Sequence, residues 1–321
     1  MKVFLANMHP AFGDSFALML ERAGCEVYSP DQDFIDNHID PPGHLRYGTE
    51  NHRFGNTLLL NGSSGKQISF EEFTAIRFDI VFLLCLEQEL AGWRANVMVH
   101  QPTSKLVHYS GNDSVPYQKP VDYLIAADST TTSICNPKLH LRMFPILPYD
   151  NYEYQGPRKH TEILPLVGSY IFKLEKYWPL SFQRFEFVRN FCAKRGIQVI
   201  NYESVGRGLA RDTMRESLLT LHFKGSEGYG YTVLESMALG IPVIIMRDLI
   251  ASRTLSEFMT SDNSWIIDKP EEALDIILDC NNDRELINKK GHEAATSLRR
   301  LLVEEDQVSQ LKEFLLRVVN E

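Results

Sequence analysis

Short apolar runs alternate with amphipathic stretches along most of the chain. Residues 2–6 (KVFLA) read as a strand, and residues 14–24 (DSFALMLERAG) repeat apolar positions at helical spacing. Residues 25–29 (CEVYS) turn apolar again. The pattern predicts strand, helix, strand, with the helix capped by Asp14 or Ser15 and stopped by Gly24. Residues 30–75 are rich in Asp, His, Gly and Asn. Their one patterned piece, TLLLNGSSGKQISF, reads as a hairpin across Asn61–Lys66. Alternation then resumes with a buried strand (FDIVFLLCL), a helix (EQELAGWRANVMVHQ), two strands (KLVHY, VDYLIAAD) and a helix start at STTTSI. Residues 144–165 break the rhythm with prolines and tyrosines and read as a linker. Beyond them come strand LPLVGSYI, helix SFQRFEFVRNFCAKRG, strand IQVINY, helix ARDTMRESL and strand LLTLHF. Helix TVLESMALG, strands PVIIM and SWIID, helix EEALDIILDC and a long helical tail from Asp283 complete the series.

Strand–helix alternation of this kind builds parallel sheets covered on both faces. A chain of 321 residues is long for one core. The expected fold is therefore α/β, with two Rossmann-like doubly wound domains facing across a cleft. The boundaries read as residues 1–147 for the N-terminal (acceptor-side) domain, 148–162 for the linker and 163–300 for the C-terminal domain. A last helix over 301–321 would pack back on the N-terminal domain. Ligands of such sheets sit beyond the carboxyl ends of the strands, where loops 7–13 and 224–230 would lie.

Composition narrows the class. Apolar residues make up 44% and charged residues 23%, the balance of a globular enzyme. Five scattered cysteines, none in a CxxC pair, point to a reducing compartment rather than a disulfide frame or a cysteine metal site. The apolar start is too short for a signal peptide, and no run approaches a membrane span. A cytoplasmic protein without a transmembrane segment is expected. Net charge is −9, unevenly spread: residues 131–225 carry 14 Lys/Arg against 8 Asp/Glu, while both ends are acidic. A basic middle suits an anionic ligand, although charge also fluctuates along any chain.

The chemistry concentrates in EGYGYTVLESMALGIPVII, residues 227–245. Gly228 and Gly230 allow a tight turn and close approach of a ligand to the main chain. A helix starting near Tyr231 or Thr232 aims its first amides at the loop, a ready site for phosphate. Glu227 on the loop and Glu235 a turn into the helix can then accept hydrogen bonds from hydroxyls on either side of that phosphate. The plainer alternative is an acidic first turn stabilised by the helix dipole, worth ~0.3–1 kcal/mol.

The run LTLHFKGSEGYGYTVLESMALGIPVII, residues 219–245, resembles the donor-site signature of retaining glycosyltransferases of the two-domain GT-B fold. That signature has Glu-Gly-Phe-Gly, a second glutamate eight residues after the first, and an Ala-x-Gly-x-Pro-Val run; here Tyr229 replaces the phenylalanine. The resemblance implies a metal-independent transferase with no cofactor, using a nucleotide-diphosphate sugar as co-substrate. Glu227 would contact hydroxyls of the transferred sugar, Glu235 would hold the ribose, and the amides of Gly228, Tyr229, Gly230, Tyr231 and Thr232 would bind the sugar or diphosphate. HPAFGDS resembles the family's glycine-bearing loop after the first strand, so Gly13 would face the phosphates, with His9 a further sugar or acceptor contact.

Two departures stand out. The family carries an arginine and a lysine after the first C-domain strand to neutralise the diphosphate. This chain has Ser169 at the arginine's place, with Lys173 or Lys176 for the lysine and Lys224 or Arg207 as compensating cations. Where the family often has a sugar-contacting histidine, Ser110–Asp113 (SGND) follows the strand, so Asn112 or Asp113 would stand in. The acceptor is expected to be a glycan or lipid-linked sugar, or else a hydroxylated or hydroxymethylated DNA base. A non-catalytic nucleotide-sugar-binding regulator is the other class. Asp31-Gln32-Asp33 resembles the Asp-x-Asp metal site of the other glycosyltransferase fold, but its place after the second strand reads as an acidic turn.

Overall fold

The computed structural model describes residues 1–7, 10–34, 65–84, 99–110, 121–126, 133, 135–143, 152–170, 175, 178–202, 207–224, 230–250 and 254–321. The chain divides into two compact units, Met1–Ile146 with Val303–Glu321, and Leu147–Leu302.

The first unit holds an all-parallel sheet of β1 (Lys2–Asn7), β2 (Glu26–Pro30), β3 (Lys66–Ile68), β4 (Ile80–Leu84), β5 (Lys105–Ser110), β6 (Tyr123–Ala126) and β7 (Leu139–Leu141). Their spatial order is β3-β2-β1-β4-β5-β6-β7. The order reverses between β1 and β4, which makes the crevice above those two strands the ligand position for this sheet. Residues 3–6 of β1 and 80–83 of β4 are fully buried apolar runs, as two covered faces require. One face closes over a phenylalanine cluster in which the Phe4 ring lies 4.7 Å from Phe73 and 5.3 Å from Phe78.

Helix α1 (Pro10–Arg22) starts earlier than the expected cap. A proline at the first helical position has its φ preset and no N–H to satisfy, so the helix reaches back to Pro10. Asp14 and Ser15 are therefore inside the helix, and Ser15 is buried. The helix stops as expected: Gly24 has φ +88°, and the amides of Gly24 and Cys25 bond back to Glu21 and Leu20. Residues 66–68 pair parallel with β2, whereas the other arm of the expected hairpin lies outside the described residues. Ser69 then starts α2 (Phe70–Ala75) with a capping box, its hydroxyl accepting from the Glu72 amide while Glu72 accepts from Ser69 N–H. The Ser-x-x-Glu spacing is a sequence signal for that start. Asp31 accepts the Phe34 amide at 2.7 Å and so caps a short turn.

The second unit holds β8 (Leu166–Ser169), β9 (Gln198–Asn201), β10 (Leu219–His222), β11 (Val243–Met246) and β12 (Ser264–Ile267), all parallel, in the order β12-β11-β10-β8-β9. Its longer helices are α3 (Pro179–Ala193), α4 (Arg207–Glu216), α5 (Tyr231–Ala238), α6 (Glu272–Asn282) and α7 (Arg284–Leu301). The helical tail read from Asp283 is interrupted at Leu302–Val303, and the last helix, expected over 301–321, is α8 (Glu304–Asn320), which belongs to the first unit. It packs on α1 and β7, burying Leu311, Phe314, Leu315 and Val318, with Arg22 paired to Glu304.

The segment read as linker is pinned to the second unit. The Arg158 amide donates to Asn288 Oδ1 at 3.0 Å, and its Nη1 donates to the carbonyls of Arg215 (2.8 Å) and Ser217 (2.5 Å). A cation there complements the carboxyl end of α4. Burial pushes the guanidinium down to about 10.

Buried thiols and phenols set the alkaline limit of stability. Burial raises Cys192 to about 11 and Cys280 to about 12, from 9.0. It raises the Tyr202 phenol from 10.0 to about 12. These groups keep their protons longer when folded, so their contribution is whole below the unfolded values and is lost as pH rises through the folded ones. Urea midpoints should hold steady to about pH 8 and fall between about pH 9 and 12. Tyr202→Phe should flatten the part of that fall above pH 10, by an amount on the order of 2 kcal/mol.

Candidate functional site

The second sheet is built outward from β8: the chain steps to β9 on one side, then returns to β10 on the other. Its switch point is the gap between the carboxyl ends of β8 and β10, and those ends are Ser169 and His222. Residues directly past either strand end are therefore at the ligand position of this sheet. Among the described residues, Tyr170 follows β8, and Phe223 and Lys224 follow β10.

Helix α5 starts at this position. Gly230 adopts φ +64° and ψ +56°, a left-handed conformation that glycine accepts without a Cβ penalty. The amides of Val233 and Leu234 already bond to the Gly230 carbonyl, so the helix is regular from its first turn. The Tyr231 and Thr232 amides come before that bonding and face out of the helix's N-terminal end, where glycine offers no side-chain cap. Tyr231, Thr232 and Glu235 are half-buried on this helix.

The far end of α5 explains the Ala-x-Gly-x-Pro run. Gly240 has φ +73°, its amide bonds to Met237 and the Ile241 amide bonds to Ser236, a Schellman stop followed by Pro242. A Cβ at Gly240 would meet the Tyr154 ring at 2.3 Å, and one at Gly291 of α7 would meet the Gly240 carbonyl at 2.0 Å. Two glycines thus let α7 lie against the end of α5. A chain of hydroxyls ties the helix to the sheet: Tyr202 Oη is 2.9 Å from Thr220 Oγ1, which bonds in turn to Ser236 Oγ. Glu235 sits one residue from that anchor, and its charge helps to hold Tyr202 protonated.

Ser169 is buried and donates its hydroxyl to the Leu221 carbonyl at 3.0 Å. It laces the two central strands together at the switch point. Lys224 is half-buried, its Nζ 5.7 Å from the Trp178 ring centre and 5.9 Å from that of Tyr170. Contacts at that range are worth about 0.5–2 kcal/mol each. The two rings were not among the candidates that the sequence offered. The aromatic density of SYIFKLEKYW, just after a buried strand, was the available signal.

In the first unit Gly13 is helical, in the first turn of α1, rather than on a loop. The described residues thus bring Ser169, Lys224, Gly230, Tyr231, Thr232 and Glu235 to one end of the second sheet. Glu227, Gly228, Tyr229, Lys173, Lys176, His9, Asn112 and Asp113 lie outside the described residues. Arg207 begins α4. Among the described residues no group of three His, Cys, Asp or Glu comes together, and no helix is long and apolar enough to cross a membrane.

The two parallel-sheet units match the two Rossmann-like domains of the GT-B fold, which solved structures share with this chain over its full length. HepE from Anabaena, in complex with UDP and glucose, has a TM-score of 0.62 at 12% identity, covering 99% of this chain and 100% of that one. Sucrose-phosphate synthase from Thermosynechococcus elongatus has a TM-score of 0.59 at 11% identity, covering 99% of each chain. An alpha-glucosyltransferase in complex with UDP and a 13-mer DNA containing an HMU base has 0.57 at 11%, covering 100% of both. No protein-family model matches the sequence, and no curated protein matches it by sequence.

Proposed function

We propose that this protein is a glycosyltransferase, moving a sugar from a nucleoside-diphosphate sugar to an acceptor hydroxyl with retention at the anomeric carbon and without a metal. One observation carries the reading. The two-glutamate signature leads into α5 at the switch point of the second sheet, and the left-handed Gly230 opens that helix toward the ligand position. An anion is favoured at such a helix end. Glu235, half-buried on the helix, is suited to a ribose, and Glu227, eight residues before it in sequence, to the transferred sugar. The chemistry then depends on positioning and on stabilising the departing diphosphate, not on a strong protein base.

A panel of UDP-, GDP-, ADP- and dTDP-sugars, read by thermal shift, tests the donor. UDP-glucose comes first because HepE has been solved in complex with it. A donor at 100 times its dissociation constant should add ~2.7 kcal/mol of stability. Transfer to a glycan or lipid-linked sugar should persist in EDTA, and NMR of the product should show the donor's anomeric configuration. If no donor in the panel stabilises the protein, the reading is lost. Tight donor binding without turnover would favour a nucleotide-sugar-binding regulator instead.

A DNA base as acceptor is a second reading, favoured by the likeness to the alpha-glucosyltransferase solved with HMU-containing DNA and by the basic middle of the chain. It requires salt-sensitive duplex binding and a base turned out of the stack. Duplexes with hydroxymethylated bases that neither bind at low salt nor accept sugar would exclude it.

A further inference from the structure

We propose that Lys224 supplies the cation that meets the departing diphosphate, and that Tyr170 and Trp178 are positioning residues that hold it there. The inference rests on the donor reading above and deepens it.

The place where the family resemblance calls for an arginine holds Ser169. That residue is buried, brings no charge, and commits its hydroxyl hydrogen to the Leu221 carbonyl. The missing charge returns on the neighbouring strand. Ser169 is paired in register with Leu221, and Lys224 lies three residues beyond that partner, past the carboxyl end of β10. Its Nζ is seated near two aromatic rings, at 5.9 Å from Tyr170 and 5.7 Å from Trp178. Tyr170 directly follows β8, and Trp178 is the residue before α3. The rings thus come from residues that follow β8 and the lysine from just past β10, so the three side chains meet across the switch point where a ligand sits.

A lone lysine is a flexible point charge with many rotamers. Two ring faces restrict it before the ligand arrives, and a charge already in place needs no reorganisation when the reaction demands it. In the transfer, the bond from the anomeric carbon to the diphosphate oxygen breaks and its electron pair stays on that oxygen. The acceptor oxygen bonds to the same carbon, and its proton passes to the diphosphate. Lys224 opposes the charge that the diphosphate gains before that proton arrives.

Calorimetric titration of UDP and of uridine tests this, with GDP, ADP or dTDP and its nucleoside used if the donor panel selects one of those. Lys224→Ala should weaken the diphosphate about tenfold or more while leaving the nucleoside within about twofold, since only the diphosphate meets the charge. Its kcat should fall further than its affinity. Trp178→Leu should weaken the diphosphate by about threefold to fivefold, and Trp178→Phe, which keeps a ring face, should recover most of that loss. Unchanged diphosphate affinity in Lys224→Ala, or equal impairment in Trp178→Leu and Trp178→Phe, would overturn the assignment while leaving the donor reading intact. Failure of the wild-type protein to bind any of the four nucleoside diphosphates would overturn both.

Discussion

Gly168→Ala should cost the second unit about 3 kcal/mol or more, at the upper end of what overpacking a core does. Gly168 lies on β8, paired with Ile200 of β9 on one side and with Thr220 of β10 on the other. The Tyr202 side chain, just past β9, arches over β8 at this residue to reach the Thr220 hydroxyl. A Cβ on Gly168 would fall 1.7 Å from the Tyr202 hydroxyl and 2.0 Å from Cζ, inside the ring's own volume. The tyrosine is fully enclosed and cannot swing away. Displacing it also breaks the link through Thr220 to Ser236 on α5, so the helix that carries Glu235 loses its anchor. The expected melting shift is about 6–12 °C downward for a unit of this size. Tyr202→Ala in the same background should be less damaging than the sum of the two single changes, because it removes the clash. A Gly168→Ala protein that melts with the wild type would mean that the tyrosine does not cross this strand.

Glu227→Ala should abolish transfer by about 100-fold or more while nucleotide binding survives, and Glu235→Ala should do the reverse. The expectation follows from the separate roles that the proposed function gives the two carboxylates. Glu235 is on a helix fixed at both ends, by Gly230 and by the Gly240 stop, with Ser236 bonded to the sheet. A carboxylate so held suits the invariant part of a donor, and removing a hydrogen bond to a charged group costs about 1.5–3 kcal/mol. That amounts to about 10- to 100-fold in nucleotide affinity. Glu227 precedes the helix in sequence, and on the proposed function it would meet the reacting sugar, where positive character develops only as the diphosphate leaves. Its loss should therefore appear in kcat. Calorimetry with UDP and transfer rates with UDP-glucose read the two effects separately. A Glu227→Ala protein that loses nucleotide affinity yet turns over bound donor normally would reverse the assignment.

Much of this architecture was legible because buried parallel strands are continuous apolar runs, which survive inspection without any partner in view. Residues 80–84, 105–110, 166–169, 219–222 and 243–246 all read as strands and all are strands. Short edge elements were not legible: β7 spans Leu139–Leu141 on the rim of the sheet and carries too little pattern. Helix ends were harder still. The start of α1 depended on Pro10 rather than on Asp14 or Ser15, and the capping box at Ser69 stood in a stretch whose composition masked it. Of the candidate site, Gly230 and the stop at Gly240 could be read directly, since a left-handed position leaves glycine as its mark.

The sequence by itself determined two sets of parallel strands, a glycine-opened helix between the tenth and eleventh of them, and a glutamate on either side of that glycine in sequence. These are local properties, decided by side chains within a turn or a strand's length of one another. Only the tertiary structure decided that β8 lies beside β10, so that Tyr170, Trp178 and Lys224 meet at one switch point. It alone showed Ser169 spending its hydroxyl inside the sheet and Arg158 pinning the linker. Each of those outcomes is a choice among partners far apart in the chain, settled by which apolar faces can be buried together, and no pattern within a short window records it.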